Sequence, residues 1–218
     1  KFDGIPNTLE PVRRRRAGVQ DEGSQIVAQI FANVASSSQR WLDLCAGPGG
    51  KAALLSSIAQ EKGREFTANE VSEPRAELVR QVVGSARVWV GDGREVAKHK
   101  EVFDAVLADV PCTGLGALRR RPEVRWRRTL QDLRALTELQ RELSDAAISV
   151  LNVGGIFGYA TCSPHFAETS AQVQMILKNH PELEQLDVAL VLRLLAHHGR
   201  VGAVVVEADV EPVVRRDI

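Results

Sequence analysis

The stretch that decides the fold is RWLDLCAGPGGKAALLSSIAQEKGREFTANEV, residues 40–71. It begins with a short apolar run, passes through a glycine-rich turn and continues into residues that read as a helix. It closes with a second strand-like run, EFTANEV, at residues 65–71. A strand, a turn, a helix and a second strand in this order predict a βαβ unit with parallel strands.

The same alternation continues on both sides of this unit. Upstream, SQIVAQIFANVA (residues 24–35) has Ile26, Ile30 and Val34 at four-residue spacing, which predicts a helix with Ser24 as its N-cap. Downstream, strands are predicted at residues 86–92, 103–110 and 154–163, and helices at 73–83, 130–151 and 168–180. The pattern predicts an α/β, Rossmann-like fold: a mainly parallel twisted sheet with helices on both faces.

Length and composition set further bounds. With 218 residues, 44% of them hydrophobic, the chain can form one large domain with a full core. Its formal net charge of zero argues against a wholly basic nucleic-acid binder, although two local arginine clusters occur, at residues 13–16 and 119–128. No apolar run approaches the ~20 residues that span a bilayer.

The cysteine pattern points to free thiols. There are three cysteines, Cys45, Cys112 and Cys162, far apart and without a C-x-x-C pair. A structural zinc site is therefore not expected, and we predict no metal. An odd number of cysteines without a secretory signal favours a reducing, cytoplasmic location.

Polar residues stand at the ends of successive predicted strands, where parallel sheets bind their ligands. DLCAGPGGK (residues 43–51) follows the first strand, Glu70 ends the second and Asp92 ends the third. The turn has neither the G-x-x-x-x-G-K-[ST] spacing of a phosphate loop nor the G-x-G-x-x-G of a dinucleotide site. Taken singly, each acid is more often a turn former or a helix cap. Together they indicate a nucleoside cofactor, either a dinucleotide or S-adenosylmethionine.

Two cysteines follow adjacent strands. FDAVLADVPC ends in Asp109 and Cys112, and YATCS carries Cys162 at the end of the next strand. Both sulfurs are therefore expected in one crevice beside a carboxylate. Cys45 is interpreted as a small apolar residue, whereas a thiolate at a strand end acts as a nucleophile once positive charge lowers its pKa.

The motifs DLCAGPGGK, DVPCTGLGALRRRPEVRW and YATCS, with VQDEGSQIVA before them, resemble the Sun/Fmu-type RNA 5-methylcytosine methyltransferases over roughly residues 18–178. Within that family the similarity is greatest to the bacterial 16S ribosomal RNA methyltransferase B group. The resemblance implies methyl transfer from S-adenosylmethionine to C5 of cytidine in RNA, with 16S ribosomal RNA as the expected substrate. A tRNA cytosine-5 methyltransferase is an alternative.

The resemblance also assigns roles to residues. Cys162 is the nucleophile that adds to C6 of the base, Cys112 assists product release, and Asp109 binds the polar edge of the base. S-adenosylmethionine is expected along a turn with Glu70 on its ribose and Asp92 near its adenine, and Asp109 and Arg75 are further cofactor contacts. Lys51 either meets the cofactor carboxylate or caps the turn. The turn residues are Cys45, Ala46, Gly47, Pro48, Gly49, Gly50 and Lys51.

A group of arginines follows the Pro-Cys motif. A charge run of this kind is usually a solvated face, but its position beside the expected base pocket favours contact with RNA phosphates. Trp126 either stacks on a base or is a rim aromatic. The arginines are Arg119, Arg120, Arg121, Arg125, Arg127 and Arg128.

The expected domain organisation is simple. Residues 1–19 are interpreted as a linker or the remnant of an upstream RNA-binding domain, and residues 20–218 as the methyltransferase catalytic domain. The last ~30 residues lack the aromatics of the family's closing hairpin, and two strands around AHHG are the expectation there; His197 and His198 are given no role. Two rival functions are a catalytically silent RNA-binding or ribosome-assembly factor that keeps the fold, and a nucleotide-dependent oxidoreductase.

Overall fold

The computed structural model describes residues 8–14 and 17–186, together with the backbone of residues 213–216. The helices are α1 (Glu10–Arg13), α2 (Glu22–Val34), α3 (Gly50–Glu61), α4 (Glu73–Arg80), α5 (Val124–Arg127), α6 (Leu130–Ser149) and α7 (Ser170–Asn179). The strands are β1 (Arg40–Asp43), β2 (Glu65–Glu70), β3 (Arg87–Val90), β4 (Phe103–Asp109), β5 (Leu151–Ala160), β6 (Leu183–Gln185) and β7 (Val213–Arg216). Short 3₁₀ helices lie at Gly93–His99, Leu115–Ala117 and Phe166–Glu168.

The strands form one seven-stranded sheet in the order β3-β2-β1-β4-β5-β7-β6. Strands β1 to β5 pair in parallel, and β7 runs antiparallel to both β5 and β6. The predicted mainly parallel α/β sheet is confirmed. This topology brings the carboxyl ends of five strands to one edge, which is where a ligand binds in such a sheet.

Two hydrophobic clusters cover the two faces of the sheet. Successive residues of a strand point to opposite faces, and β1 follows this rule: Trp41 joins one cluster and Leu42 the other. The first cluster includes residues of α2, α3 and α4, and the second includes residues of α6 and α7. Helices therefore pack on both faces, as the alternating sequence pattern predicted.

The start of α2 differs from the expected one. The helix begins at Glu22 with Asp21 at the N-cap position, so the prediction that Ser24 caps it is wrong. Ser24 lies inside the first turn, and its hydroxyl accepts a hydrogen bond from Lys51 Nζ at 3.3 Å. The hydroxyl faces the glycine-rich turn instead of the end of its own helix, a tertiary contact that local capping preferences do not encode.

Helix α6 begins where predicted, but Leu130 contributes nothing to the core. Its side chain is 76% exposed, whereas Leu143, later in the same helix, is buried. A capping box between Thr129 and Asp132 fixes the start of the helix, and such a box satisfies backbone donors without any apolar contact. The first turn can therefore extend beyond the sheet into solvent.

The expected pair of strands around AHHG, and with it His197 and His198, lies outside the described residues. The described strands β6 and β7 stand on either side of this segment and complete the sheet. Within the described part of the chain, no helix combines the length and the apolar composition that a membrane crossing requires.

Candidate active site

The glycine-rich turn between β1 and α3 is built around the carboxylate of Glu70 at the end of β2. Glu70 is 2% exposed, and its Oε2 accepts the N–H of Gly47 at 3.0 Å. A Cβ on residue 47 would lie 2.2 Å from that oxygen, so only glycine fits there. The other carboxylate oxygen accepts the N–H of Ser72 at 2.9 Å.

Arg75 covers the outer side of this carboxylate. Its guanidinium lies 3.2 Å from Glu70 Oε2 and donates to the carbonyl of Gly47. The structure therefore brings Glu70, Arg75 and the turn together, as the sequence predicted for the cofactor site. Glu70 and Arg75 thus form an ion pair at the carboxyl end of β2, beside the turn.

Asp92 follows β3 and caps the next 3₁₀ helix. Its carboxylate accepts the N–H of Arg94 at 3.0 Å and forms an ion pair with the Arg94 side chain at 2.6 Å. These hydrogen bonds from Arg94 lower the pKa of Asp92. Asp92 therefore acts as a helix cap, which was the alternative interpretation of this acid. It still lies directly after β3, at the predicted edge of the sheet.

Lys51 reaches from the first turn of α3 to Asp109 at the end of β4. Lys51 Nζ lies 2.8 Å from Asp109 Oδ2. Burial acts to lower the pKa of Lys51, but the charge of Asp109 and the hydrogen bond to it outweigh burial and raise that pKa. Lys51 is therefore a fixed positive charge between the turn and the cysteine loops.

Asp43 is the least satisfied group of the site. It is fully buried, and within the described ranges neither carboxylate oxygen has a hydrogen-bond partner of ordinary geometry. Burial and then the charge of Asp109 raise its pKa to about 7, while the charge of Lys51 and the backbone N–H of Cys45 oppose the shift. Glu70, Asp92 and Asp109 each form an ion pair with an arginine or a lysine, whereas Asp43 forms none with any residue that the structure describes. The site therefore suits a ligand that carries positive charge.

The Sγ atoms of Cys112 and Cys162 lie 3.2 Å apart. The hydrogen bond from the Cys162 thiol lowers the pKa of Cys112 to about 6; burial opposes this shift, and Thr161 and two backbone N–H groups add to it. The same hydrogen bond, followed by burial, raises the pKa of Cys162. At neutral pH the two sulfurs therefore share one proton.

Cys45 behaves differently from the other two cysteines. It packs against the second hydrophobic cluster, and burial raises the pKa of its thiol. The prediction that Cys45 is a small apolar residue agrees with this packing. Its contribution to the turn is the backbone, not the sulfur.

The arginine cluster surrounds the start of α5 and is exposed throughout. Arg120 pairs with Asp21 at 2.8 Å, and Arg128 Nε donates to the carbonyl of Thr113 at 3.4 Å. Trp126 is 83% exposed, with the Arg125 guanidinium 5.8 Å from its ring centroid. No described residue forms an ion pair or hydrogen bond with the side chains of three further members, Arg119, Arg121 and Arg127.

Sequence reasoning missed two carboxylates of this region. Asp43 was included in the motif but not among the predicted ligands, although an acid at the end of an apolar strand is a detectable signal. Glu168 is fully buried and contacts the loop that follows Cys112. It lies 59 residues after Asp109 in sequence, and no local pattern marks it as part of the site.

Comparison with known proteins agrees with the motifs. The model of the family described as "16S rRNA methyltransferase RsmB/F" matches residues 32–203. "Putative methyltransferase Rv1407" of Mycobacterium tuberculosis H37Rv is 52% identical over 185 residues, which are 82% of this chain and 40% of that protein. "Ribosomal RNA small subunit methyltransferase B" of Sodalis glossinidius is 38% identical over 75% of this chain and 38% of that protein. The chain thus spans about two fifths of the length of these relatives.

Solved structures show the same fold. A structure described as NSun6 from Pyrococcus horikoshii with SFG has a TM-score of 0.74 and 24% identity, and covers 84% of this chain and 47% of that one. A methyltransferase homolog protein from the same organism has a TM-score of 0.68 and 25% identity, and covers 85% of this chain and 58% of that one. With the family model matching most of the residues and the predicted motifs gathered at one sheet edge, the chain belongs to the 16S rRNA methyltransferase RsmB/F family.

Proposed function

We propose that this chain transfers a methyl group from S-adenosylmethionine to C5 of a cytidine in RNA, with 16S ribosomal RNA as the substrate. The observation that carries the proposal is the 3.2 Å approach of the Cys112 and Cys162 sulfurs beside the Lys51–Asp109 ion pair. The names of the ribosomal RNA methyltransferases among its relatives support the choice of substrate.

The cofactor site fits the donor. S-adenosylmethionine supplies an electrophilic methyl group on a sulfonium, and it also carries an ammonium group and ribose hydroxyls. Asp43, buried with no cationic partner in the described part of the chain, suits a positive group of this ligand. Glu70 at the end of β2 has the position of a ribose-binding acid. The turn from Cys45 to Lys51 brings the backbone to the same edge, and Arg75 and Asp92 flank it.

In the proposed reaction, Cys162 is the nucleophile. Its sulfur adds to C6 of the base as the Cys162 thiol proton passes to Cys112, which the pKa of about 6 leaves as the thiolate of the free pair at neutral pH. The added sulfur converts C5 into an enamine carbon, which takes the methyl group. Asp109, held by Lys51, hydrogen-bonds the polar edge of the base as charge develops there.

Release reverses the addition. The C5 proton passes to solvent, the electron pair of that C–H bond restores the C5–C6 double bond, and the bond between Cys162 and C6 breaks. Cys112 returns its proton to the departing sulfur, a transfer for which the 3.2 Å separation is suitable. The target base has to leave its stack to reach this crevice.

The direct test is nucleoside analysis by mass spectrometry. The protein is incubated with S-adenosylmethionine and either 16S ribosomal RNA or tRNA, and 5-methylcytidine is measured in each digest. We expect 5-methylcytidine in the ribosomal RNA. Product in the tRNA alone would overturn the proposed substrate, and a protein that binds RNA but makes no product would instead be a silent RNA-binding factor.

The buried Asp43 predicts a pH-dependent affinity for the cofactor. Its raised pKa means that the free protein binds a proton between about pH 4 and 7, which the unfolded chain has already lost, so stability falls as pH rises through this range. A cationic ligand favours the ionised carboxylate. We therefore expect the affinity for S-adenosylhomocysteine, which keeps the ammonium group, to increase as pH rises towards about 7 and then level off.

Asp43→Asn removes this dependence. Calorimetry is expected to show an affinity for S-adenosylhomocysteine about tenfold weaker above pH 7, equivalent to ~1.4 kcal/mol, and nearly constant with pH. The free variant is expected to be more stable than the original protein at pH 8, because no buried charge remains. Equal pH profiles for the two proteins would contradict the assignment of Asp43 to the cofactor site.

The exposed arginines predict a salt-dependent affinity for RNA. In the triple variant of Arg119, Arg121 and Arg127 to Gln, we expect the slope of log affinity against log salt to become shallower by about 2, since each contact with single-stranded RNA contributes ~0.7. Arg141→Gln is the matched control, because Arg141 pairs with Glu138 on α6. Fluorescence anisotropy measures both slopes; equal slopes would exclude this cluster as the RNA surface.

A further inference from the structure

The residues that follow the two cysteines are hydrogen-bonded to each other through their side chains. Thr113 follows Cys112, Ser163 follows Cys162, and their hydroxyl oxygens lie 3.1 Å apart. The contact between the two sulfurs is thus accompanied by a second, buried contact one residue further along each loop. Both loops also meet where the N–H of Gly116 donates to the carbonyl of Cys162 at 2.9 Å.

Glu168 lies beneath this second contact and is fully buried. One of its carboxylate oxygens accepts the backbone N–H of Thr113 at 2.8 Å, and the other accepts the hydroxyl of the same residue. Gln140 Nε2 also donates to Glu168, at 3.0 Å, and to the carbonyl of Pro111 at 2.8 Å. Glu168 therefore holds the loop of Cys112 on both sides of that cysteine, directly and through Gln140.

The carboxylate also sets the direction of the hydrogen bonds. Because a carboxylate only accepts, the Thr113 hydroxyl donates to Glu168 and its oxygen is left to accept from the Ser163 hydroxyl. The Ser163 oxygen then accepts the N–H of His165 at 3.2 Å. Each hydroxyl proton has one acceptor. The series of hydrogen bonds therefore runs from the loop of Cys162 through Thr113 to Glu168.

A purely structural role fits this residue poorly. In the part of the chain that the structure describes, no lysine or arginine pairs with Glu168. A buried carboxylate without a cation destabilises a fold, whereas an apolar side chain of similar volume does not. Its two oxygens together hold the N–H and the O–H of Thr113, which an apolar side chain cannot do.

We propose that Glu168 is a positioning residue which acts through Thr113 and Ser163 to set the separation of the Cys112 and Cys162 sulfurs. This inference rests on the proposed function for its catalytic consequence, since the two sulfurs exchange a proton only while they remain in contact. Its structural content, the distance between two thiols, is measurable without RNA or cofactor.

The test compares Glu168→Ala and Glu168→Gln with Gln172→Ala. Gln172 is a matched control, because it is buried and donates to the carbonyl of Thr137 at 2.9 Å, and its side chain forms no hydrogen bond with either cysteine loop among the described residues. The first measurement is the rate of alkylation of each thiol by iodoacetamide against pH, followed by mass spectrometry of the peptides. The second is the rate of covalent complex formation with RNA that contains 5-fluorocytidine, in which loss of the C5 substituent is blocked.

In Glu168→Ala, the pH at which Cys112 is alkylated at half its maximal rate is expected to move from near 6 towards the ordinary thiol pKa of about 8.5. The complex is expected to form about a hundredfold more slowly, while S-adenosylhomocysteine binds within about twofold of the original affinity. Glu168→Gln keeps one acceptor oxygen and is expected to recover part of both effects. Gln172→Ala is expected to behave as the original protein.

An alkylation profile in folded Glu168→Ala that matches that of Gln172→Ala would overturn the inference. If Glu168→Ala does not fold, Thr113→Val supplies the same test, because it removes the hydroxyl and keeps the backbone N–H; an unshifted Cys112 profile there has the same meaning. Failure of the proposed function looks different, since the original protein would then make no 5-methylcytidine while the shift of the thiol profile persisted.

Discussion

Cys162→Ala is expected to abolish methyl transfer, with a loss of more than about a thousandfold in turnover. Without a sulfur on C6, C5 of cytosine remains an electron-poor carbon that cannot attack the methyl group. Cys112, 3.2 Å away, does not replace it, because its loop is fixed by separate hydrogen bonds to Glu168. Tritium transfer from labelled S-adenosylmethionine to RNA measures the loss.

Cys112→Ala is expected to have a different result: a covalent complex of protein and RNA that accumulates. Addition through Cys162 still occurs, slowed because its thiol no longer has a neighbouring base, but the leaving sulfur lacks its proton donor. The complex appears as a retarded band on a denaturing gel. The double variant Cys112→Ala/Cys162→Ala is the control and should give no such band. A retarded band from Cys162→Ala alone would reverse the two roles.

A large loss of methyl transfer is also expected from Gly116→Ala. A Cβ at this position would lie 2.6 Å from the carbonyl oxygen of Cys162 and 3.2 Å from its carbonyl carbon. Both are backbone atoms of the opposite loop, so the overlap is relieved only if the loops move apart. We expect at least about a hundredfold loss of methyl transfer, with the affinity for S-adenosylhomocysteine unchanged within about twofold.

Gly18→Ala is the matched control for this variant, because no atom lies within 4 Å of the Cβ it would add. Its activity is expected to equal that of the original protein. Calorimetry with S-adenosylhomocysteine, together with the methylation assay, separates damage to the cysteine loops from damage to the cofactor turn. Full activity in Gly116→Ala would show that the contact between the loops is not required for catalysis.

Much of the fold could be predicted because its signals are local. Residues 41–43 are two apolar residues with an acid at the end, and the glycines that follow permit a tight turn; both signals lie within a few consecutive residues. The convergence of Cys112 and Cys162 followed from topology, since the ends of adjacent parallel strands meet at one edge. Ser24 was misinterpreted as a helix cap, because its hydroxyl faces a lysine that is distant in sequence.

The sequence by itself therefore determined the five parallel strands and the helices between them, the family and the residues that gather at one edge, but not the two closing strands β6 and β7. Only the tertiary structure decided how these residues are charged and paired: that Asp43 is buried with no cationic partner among the described residues, that Arg120 pairs with Asp21, and that Glu168 holds Thr113. The physical reason is that strand and helix patterns arise from neighbours along the chain, whereas burial and hydrogen-bond partners depend on side chains that are distant in sequence.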